Sequence, residues 1–227
     1  MLIIFDLDDT LIDTSGSITP FRLEKAVRRM HEEGLFLEDL TSAIEIIKRL
    51  DTTTESSAQT LFEFLEIHGA MEDKFLSIGK GEIYEAPLGD IAVQPLEGIP
   101  TLLYELQAEH TLCLVTVGSE KLQEEKLKKA GIDCTIFSKI YVCKEKNKKP
   151  YYQRILEELK ALPSQTVVCG DRIAIDLSPA KELGMHTIHM RWGRGIHTKK
   201  SPIDVDFAIF KLEEIKAILA HIMAFSS

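Results

Sequence analysis

Apolar positions along the chain fall into two textures. The opening MLIIF is a short continuous apolar run, the pattern of a strand buried on both faces. Across residues 21–50 the apolar positions recur at helical spacing instead. Leu23, Val27 and Met30 make one stripe, Leu37, Leu40, Ile44 and Ile47 a second, and Gly34 stands between them. A third helix is predicted after DTTTESS, with Leu61, Phe62 and Leu65 inward and Gly69 at its end, and a fourth over 71–84. Residues 15–92 therefore read as all-helical.

From Pro95 onward strands and helices alternate. PLEGIPTLLYEL reads as a turn into a helix, HTLCLVTV as a buried strand, and SEKLQEEKLKKAG as a helix with Ser119 as its N-cap and Gly131 just past its end. KIYVC, QTVVCGD, HTIHM and DFAIF follow as strands, separated by the helical patterns YYQRILEELKAL and SPAKELG and closed by KLEEIKAILAHI. Such alternation predicts a doubly wound, mostly parallel α/β sheet with helices on both faces. Its residues are 1–14 and 93–227, and the all-helical segment 15–92 is an insertion after the first strand.

The totals narrow the class. With 227 residues, 44% hydrophobic and 28% charged, the chain has the make-up of a soluble globular protein rather than a disordered or fibrous one. MLIIF and TLCLVTV are too short to span a bilayer, and the N-terminus lacks the basic start and cleavage site of a secretory signal. A cytoplasmic protein with no membrane partner is expected. A net charge of -9 argues against a nucleic-acid partner, whose phosphates demand clustered Lys and Arg. KEKNKK at 144–149 is the local exception. Cys113, Cys134, Cys143 and Cys169 form no C-x-x-C pair and read as core thiols.

In open parallel sheets ligands bind beyond the carboxyl ends of the strands. DLDDT follows the first strand, Thr116 lies in LCLVTVGS, and Asp171 follows TVVCG with Asp176 five residues later. Alternation in an extended segment puts Asp6 and Asp8 on one side and turns Asp9 away. If Asp171 comes from a neighbouring strand end, several carboxylates converge, and an oxygen-only donor set of that kind suits Mg²⁺.

DLDDT, Thr116 at the end of an apolar strand, a downstream Lys and GDRIAID together resemble, in order and separation, the four motifs of the haloacid dehalogenase-like phosphatase superfamily. The likeness spans the whole chain, and PLEGIPTLLYEL is similar to the family's re-entry into the core. The resemblance implies a Rossmann-like core with a helical cap, and a Mg²⁺-dependent phosphatase acting on a small phosphorylated metabolite. It makes Asp6 the nucleophile that becomes an aspartyl-phosphate. Asp8 becomes the acid/base, protonated at the start while Asp6 is ionised. Mg²⁺ falls to Asp6, Asp171 and the main-chain carbonyl of Asp8. Thr116, backbone N–H groups near Leu7 and Val117, and a Lys would hold the phosphoryl oxygens. Thr10, Arg172 and Asp176 would support these groups, Asp176 by orienting metal-bound water or Arg172, or alternatively by capping the SPAKELG helix.

For the Lys, the family's Lys-Pro pattern selects Lys149, whereas counting back from IL-x-x-L selects Lys146, which is preferred. Lys144 and Lys148 then read as solvated charges. Arg22, Arg28, Arg29 and His31 are expected on a solvated helix face, and Phe62, Phe64 and Phe75 in a core. His189, Arg191, Trp192 and Arg194 follow another strand end as candidates for a site rim, and His186 and His197 stand out in no way. The competing readings are a sugar-phosphate mutase of the same fold and a non-catalytic regulatory or binding protein that retains it. A dehalogenase has no use for Asp8 and an acidic metal site. The sequence leaves monomer and homodimer equally open.

Overall fold

The computed structural model describes residues 1–196 and 203–225, so His197 lies outside the described residues. The chain divides into two compact units, Met1–Thr14 with Val93–Ser227, and Ser15–Ala92.

The first unit is built on a six-stranded sheet. Its strands are β1 (Leu2–Phe5), β2 (Thr111–Val117), β3 (Lys139–Cys143), β4 (Thr166–Gly170), β5 (His186–Met190) and β6 (Phe207–Ile209). They run in the order β3-β2-β1-β4-β5-β6, every neighbouring pair parallel. The continuous apolar runs have the reason anticipated for them: both faces are covered. Leu2, Ile4, Cys113, Val115 and Val168 pack on one face with Tyr152, Ile155, Leu177 and Ala180. Their alternate neighbours Ile3, Phe5, Leu112, Leu114 and Val167 point the other way and are equally buried.

Chain winding reverses at β1, so the switch point of the sheet lies between β1 and β4. Phe5 is level with Leu114 on one side and Cys169 on the other. Residues just beyond β1 and β4 therefore emerge side by side, and the main-chain N–H of Asp6 donates to Cys169 O at 3.0 Å. The segments on either side of the insertion pair with each other. Ile12 bridges Pro95, and Asp13 N donates to Gln94 O at 2.8 Å.

The second unit holds four full helices, α2 (Thr19–Glu32), α3 (Leu40–Asp51), α4 (Ser57–Ile67) and α5 (Asp73–Tyr84), preceded by the single turn α1 (Thr14–Ser17). Asp39 and Ser56 cap α3 and α4 by accepting from Ser42 N and Gln59 N. Leu23, Val27, Met30, Ile44, Ile47, Phe64 and Phe75 form its core. Two expectations fail here. Phe62 is 46% exposed, because α4 turns Leu61, Phe64 and Leu65 inward, an i, i+3, i+4 set that leaves position 62 outside. Arg22 leaves the solvated face: it is 2% exposed, and its Nη1 donates to Glu82 O at 2.6 Å. Arg28 and Arg29 do face solvent, paired with Glu24 and Glu32.

The remaining helices of the first unit are α6 (Ile99–Glu109), α7 (Glu120–Lys129), α8 (Lys149–Leu159), α9 (Ser178–Glu182) and α10 (Ile215–Phe225). Between β4 and α9, Ile173–Leu177 winds as a wide π-turn. Cys113, Cys143 and Cys169 are buried free thiols, while Cys134, expected in the core, is exposed. Among the described residues no helix is long and apolar enough to cross a membrane.

Candidate active site

Three carboxylates meet at the switch point. Asp6 leaves β1, Asp171 leaves β4, and Asp176 returns from the π-turn; one oxygen from each lies within 4.8 Å of the others, and all three are buried. The spacing of GD-x(4)-D acquires a local cause. Asp176 Oδ2 accepts from the main-chain N–H of Arg172 at 2.9 Å, folding the turn back on its own start. Gly170 makes room for it, since a Cβ there would lie 2.6 Å from Asp176 Oδ2. Asp176 does not cap the following helix; Leu177 stands at that N-cap with no side-chain hydrogen bond.

The lysine in this cluster is Lys148. Its Nζ lies 2.6 Å from Asp6 Oδ1 and 2.6 Å from Asp176 Oδ1, with the side chain 1% exposed. The structure brings neither Lys146 nor Lys149 there. Lys146 is exposed, and Lys149 pairs at the surface with Glu182 Oε2 at 2.6 Å. Lys148 already has helical φ and ψ (-85°, -14°) one residue ahead of α8. Its side chain therefore joins the inward stripe of Tyr152 and Ile155, four and seven residues on, both buried. That stripe, 148-152-155, is the signal that counting from the proline or from IL-x-x-L passes over. Tyr152 also donates its phenol O–H to Asp176 O at 3.1 Å.

Charge sets the protonation of these groups. Burial pushes the Asp6 carboxyl up, Lys148 opposes it, and Asp176 and Asp8 add repulsion, for a net rise to about 7. Burial first, then the charges of Asp176 and Asp9, hold Asp171 well above the ordinary carboxylate range. Asp9 is not a remote bystander: it is 6% exposed, adopts φ of 55°, and bears on Asp171 through its charge. Asp171 Oδ1 is buried with no hydrogen-bond partner. An orphaned carboxylate oxygen beside two further carboxylates is a donor set that a hard divalent cation such as Mg²⁺ fits.

Asp8 lies outside this trio and has its own partners. Lys126 Nζ donates to Oδ1 at 2.7 Å, Thr14 Oγ1 donates to the same oxygen, and Gln123 Nε2 donates to Oδ2 at 3.0 Å. Burial opposes ionisation, yet the Lys126 charge and these hydrogen bonds outweigh it, and the carboxyl sits below its ordinary range. Without a metal on Asp6 and Asp171 the two carboxyls are pushed in opposite directions, Asp6 up and Asp8 down, whereas the expected order, Asp8 protonated and Asp6 ionised, belongs to the metal-bound site; Lys126 is a cation that the sequence reading did not assign to Asp8. Gln123 and Lys126 escaped that reading as members of a strongly charged helix. Their signal is positional: with Leu122 and Leu127 they are the buried residues of α7.

Thr116 is fully buried at the end of β2, where its Oγ1 takes a 2.7 Å hydrogen bond from Gln123 Nε2. Val117 offers its carbonyl to the same nitrogen at 3.1 Å. Thr10 is buried in the turn after β1, its N–H donating to Leu7 O at 3.3 Å. Arg172 meets Asp176 through its main chain. The HMRWGRG segment packs against the Asp171 carbonyl through His189 and Gly195. His189 Nε2 is 2.9 Å from Asp171 O, and a Cβ on Gly195 would come within 3.0 Å of that carbonyl. Trp192 donates to Asp13 Oδ1 at 2.9 Å, and Arg191 lies over the Phe210 ring.

The family model of haloacid dehalogenase-like hydrolases matches residues 1–184. The chain is 29% identical over 227 residues to a glyceraldehyde 3-phosphate phosphatase of Methanocaldococcus jannaschii, with 97% of each chain covered. It is 26% identical over 226 residues to one of Methanothermobacter thermautotrophicus, covering 96% of this chain and 98% of that one. A haloacid dehalogenase-like family hydrolase from Xanthomonas campestris shares the fold with a TM-score of 0.64 at 20% identity, over 99% of this chain and 92% of the other.

Proposed function

The chain belongs to the haloacid dehalogenase-like hydrolase family, and we propose that it is a Mg²⁺-dependent phosphatase that hydrolyses a small phosphorylated metabolite through an aspartyl-phosphate on Asp6. Glyceraldehyde 3-phosphate is the substrate suggested by the names of its relatives. The observation that carries the reading is the placement of Asp6 at the end of a central strand, in one cluster with Asp171, Asp176 and Lys148. In the first step an Asp6 oxygen bonds to phosphorus as the bond to the ester oxygen breaks. In the second, water attacks the same phosphorus, inorganic phosphate leaves, and the Asp6 carboxylate is restored.

Asp8 serves both steps, passing a proton to the departing oxygen and taking one from the attacking water. Because Lys126 keeps it ionised in the free protein, the proton it donates is taken up with the monoanionic ester. Lys148, rather than Lys146 or Lys149, holds a phosphoryl oxygen together with Thr116. Asp6, Asp171 and the Asp8 carbonyl are the groups that would hold Mg²⁺, and the unpartnered Asp171 oxygen supports that assignment. When bound, the metal supplies positive charge that lets a carboxylate approach an anionic phosphate. The helical unit 15–92 is the cap that selects the leaving group.

The test is phosphate release from glyceraldehyde 3-phosphate beside glycerol phosphate, phosphoglycolate, sugar phosphates, nucleotides and pyrophosphate, with Mg²⁺ and with EDTA. Turnover that needs Mg²⁺ and disappears in Asp6→Asn is expected. Inactivity across the panel, or an Asp6→Asn variant as active as the parent, overturns the phosphatase reading. Activity that favours another ester overturns only the substrate.

A further inference from the structure

Helix α7 carries two residues whose burial its packing does not require. Its sequence, EKLQEEKLKK, is almost wholly polar. Leu122 and Leu127 supply the apolar contact, yet Gln123 and Lys126 are also taken inside, at 1% and 8% exposure. Ordering and desolvating a lysine and an amide there costs free energy that a Leu or Met would not incur. The return lies in what their polar ends touch.

Those ends converge on Asp8 and Thr116. Lys126 Nζ donates to Asp8 Oδ1 at 2.7 Å, while Gln123 Nε2 lies 3.0 Å from Asp8 Oδ2, 2.7 Å from Thr116 Oγ1 and 3.1 Å from Val117 O. Oδ1 of Asp8 is held by Lys126 together with Thr14 and Oδ2 by Gln123, which fixes the plane of the group as well as its place. The Gln123 amide joins that plane to the strand end bearing Thr116. Local sequence sets up the arrangement. Ser119 caps the helix by accepting from Leu122 N, which fixes its phase, and positions 123 and 126, three apart, fall on one side. Gly118, at φ of 152°, leaves room for the amide, since a Cβ there would stand 3.3 Å from Gln123 Cδ.

We propose that Gln123 and Lys126 are a pair of positioning residues that hold the Asp8 carboxylate in fixed orientation to Thr116, so that its proton is delivered to the departing ester oxygen. The inference rests on the reading of Asp8 as acid/base. Its experimental signature is a dependence on the leaving group. An alkyl ester such as glyceraldehyde 3-phosphate or glycerol phosphate needs its departing oxygen protonated, whereas p-nitrophenolate leaves without a proton.

The experiment measures kcat and KM for the alkyl ester and for p-nitrophenyl phosphate in wild type, Gln123→Met, Lys126→Met and Asp8→Asn, all with Mg²⁺. In both positioning variants kcat/KM on the alkyl ester, which reports the steps up to departure of the alcohol, is expected to fall about tenfold or more beyond its fall on p-nitrophenyl phosphate. Asp8→Asn is expected to show the same split more strongly. Lys126→Arg, which keeps a cation of different reach, should recover part of the alkyl-ester rate. If Lys126→Met or Gln123→Met fails to fold, Lys126→Gln and Gln123→Asn read the same ratio. Equal losses on both esters in the position 123 and 126 variants, with the split present in Asp8→Asn, overturn the positioning role alone. Equal losses in Asp8→Asn overturn the acid/base reading and the inference with it.

Discussion

Replacing the proposed nucleophile should make the metal-free protein more stable while ending its activity. Asp6 is buried with Asp171, Asp176 and a single lysine, and its carboxyl is pushed from an ordinary 3.8 to about 7. The native state therefore favours the protonated form. Stability associated with this group is fully present below about pH 4 and is lost as pH rises through about 7. At about 1.4 kcal/mol per pH unit, keeping Asp6 ionised at pH 8 costs the fold up to about 4 kcal/mol. Asn is neutral and its carbonyl can still accept from Lys148, so Asp6→Asn removes the penalty and loses only part of the lysine's attraction. We expect a gain of about 1–4 kcal/mol, or about 3–12 °C in melting temperature for a chain of this length. Thermal unfolding followed by circular dichroism in EDTA at pH 8 and pH 5 checks this. The gain should shrink at pH 5, where wild-type Asp6 is already protonated, and with Mg²⁺, which offsets the repulsion in wild type. An Asp6→Asn protein that melts at or below wild type in EDTA at pH 8 would refute the electrostatic account.

Lys148→Met should lower kcat/KM about 10²–10³-fold, while Lys146→Met and Lys149→Met stay within about threefold, as expected of exposed charges; steady-state kinetics on one ester separates the three. Adding Mg²⁺ at about a hundred times its Kd should stabilise the folded protein by about 2.7 kcal/mol, and the melting shift should largely vanish in Asp171→Asn. Gly170→Ala places a methyl group 2.6 Å from Asp176 Oδ2; urea unfolding should show a loss of about 1–3 kcal/mol, and activity should fall as Asp176 is displaced from Lys148.

The sheet was readable because both its faces are buried, so each strand is a nearly continuous apolar run whose identity does not depend on register. The four long helices of 15–92 were readable for the complementary reason, a 3.6-residue stripe. Phe62 and Arg22 mark the limit of that reading. A stripe locates a helix, but not which of two adjacent apolar residues lies inside, nor whether a carbonyl elsewhere in the unit draws in an arginine. At the site, Asp6 and Asp171 were legible because short motifs fix them at strand ends, and Asp176 because it follows Asp171 at a fixed spacing. Lys148 was not, because three lysines lie within four positions and the selection among them is made by backbone geometry one residue ahead of α8.

The state of Asp8 was illegible for a different reason, and it changes how the D-x-D pair is understood. Alternation along an extended strand implies two carboxylates sharing one environment, whose protons must then be divided between them. The folded chain gives each aspartate its own cation: Lys148 lies against Asp6 and Asp176, and Lys126 against Asp8. Burial, with the repulsion of Asp176 and Asp8, outweighs the single lysine of Asp6, so its carboxyl rises; at Asp8 the charge of Lys126 and the hydrogen bonds from Lys126, Thr14 and Gln123 outweigh burial, so its carboxyl falls. Both lysines come from segments distant in sequence, one ahead of α8 and one on α7. Only the parallel order of β1, β2 and β3 brings those segments to the same sheet edge as Asp6 and Asp8. The motif specifies where the carboxylates stand, and the topology specifies how they are charged.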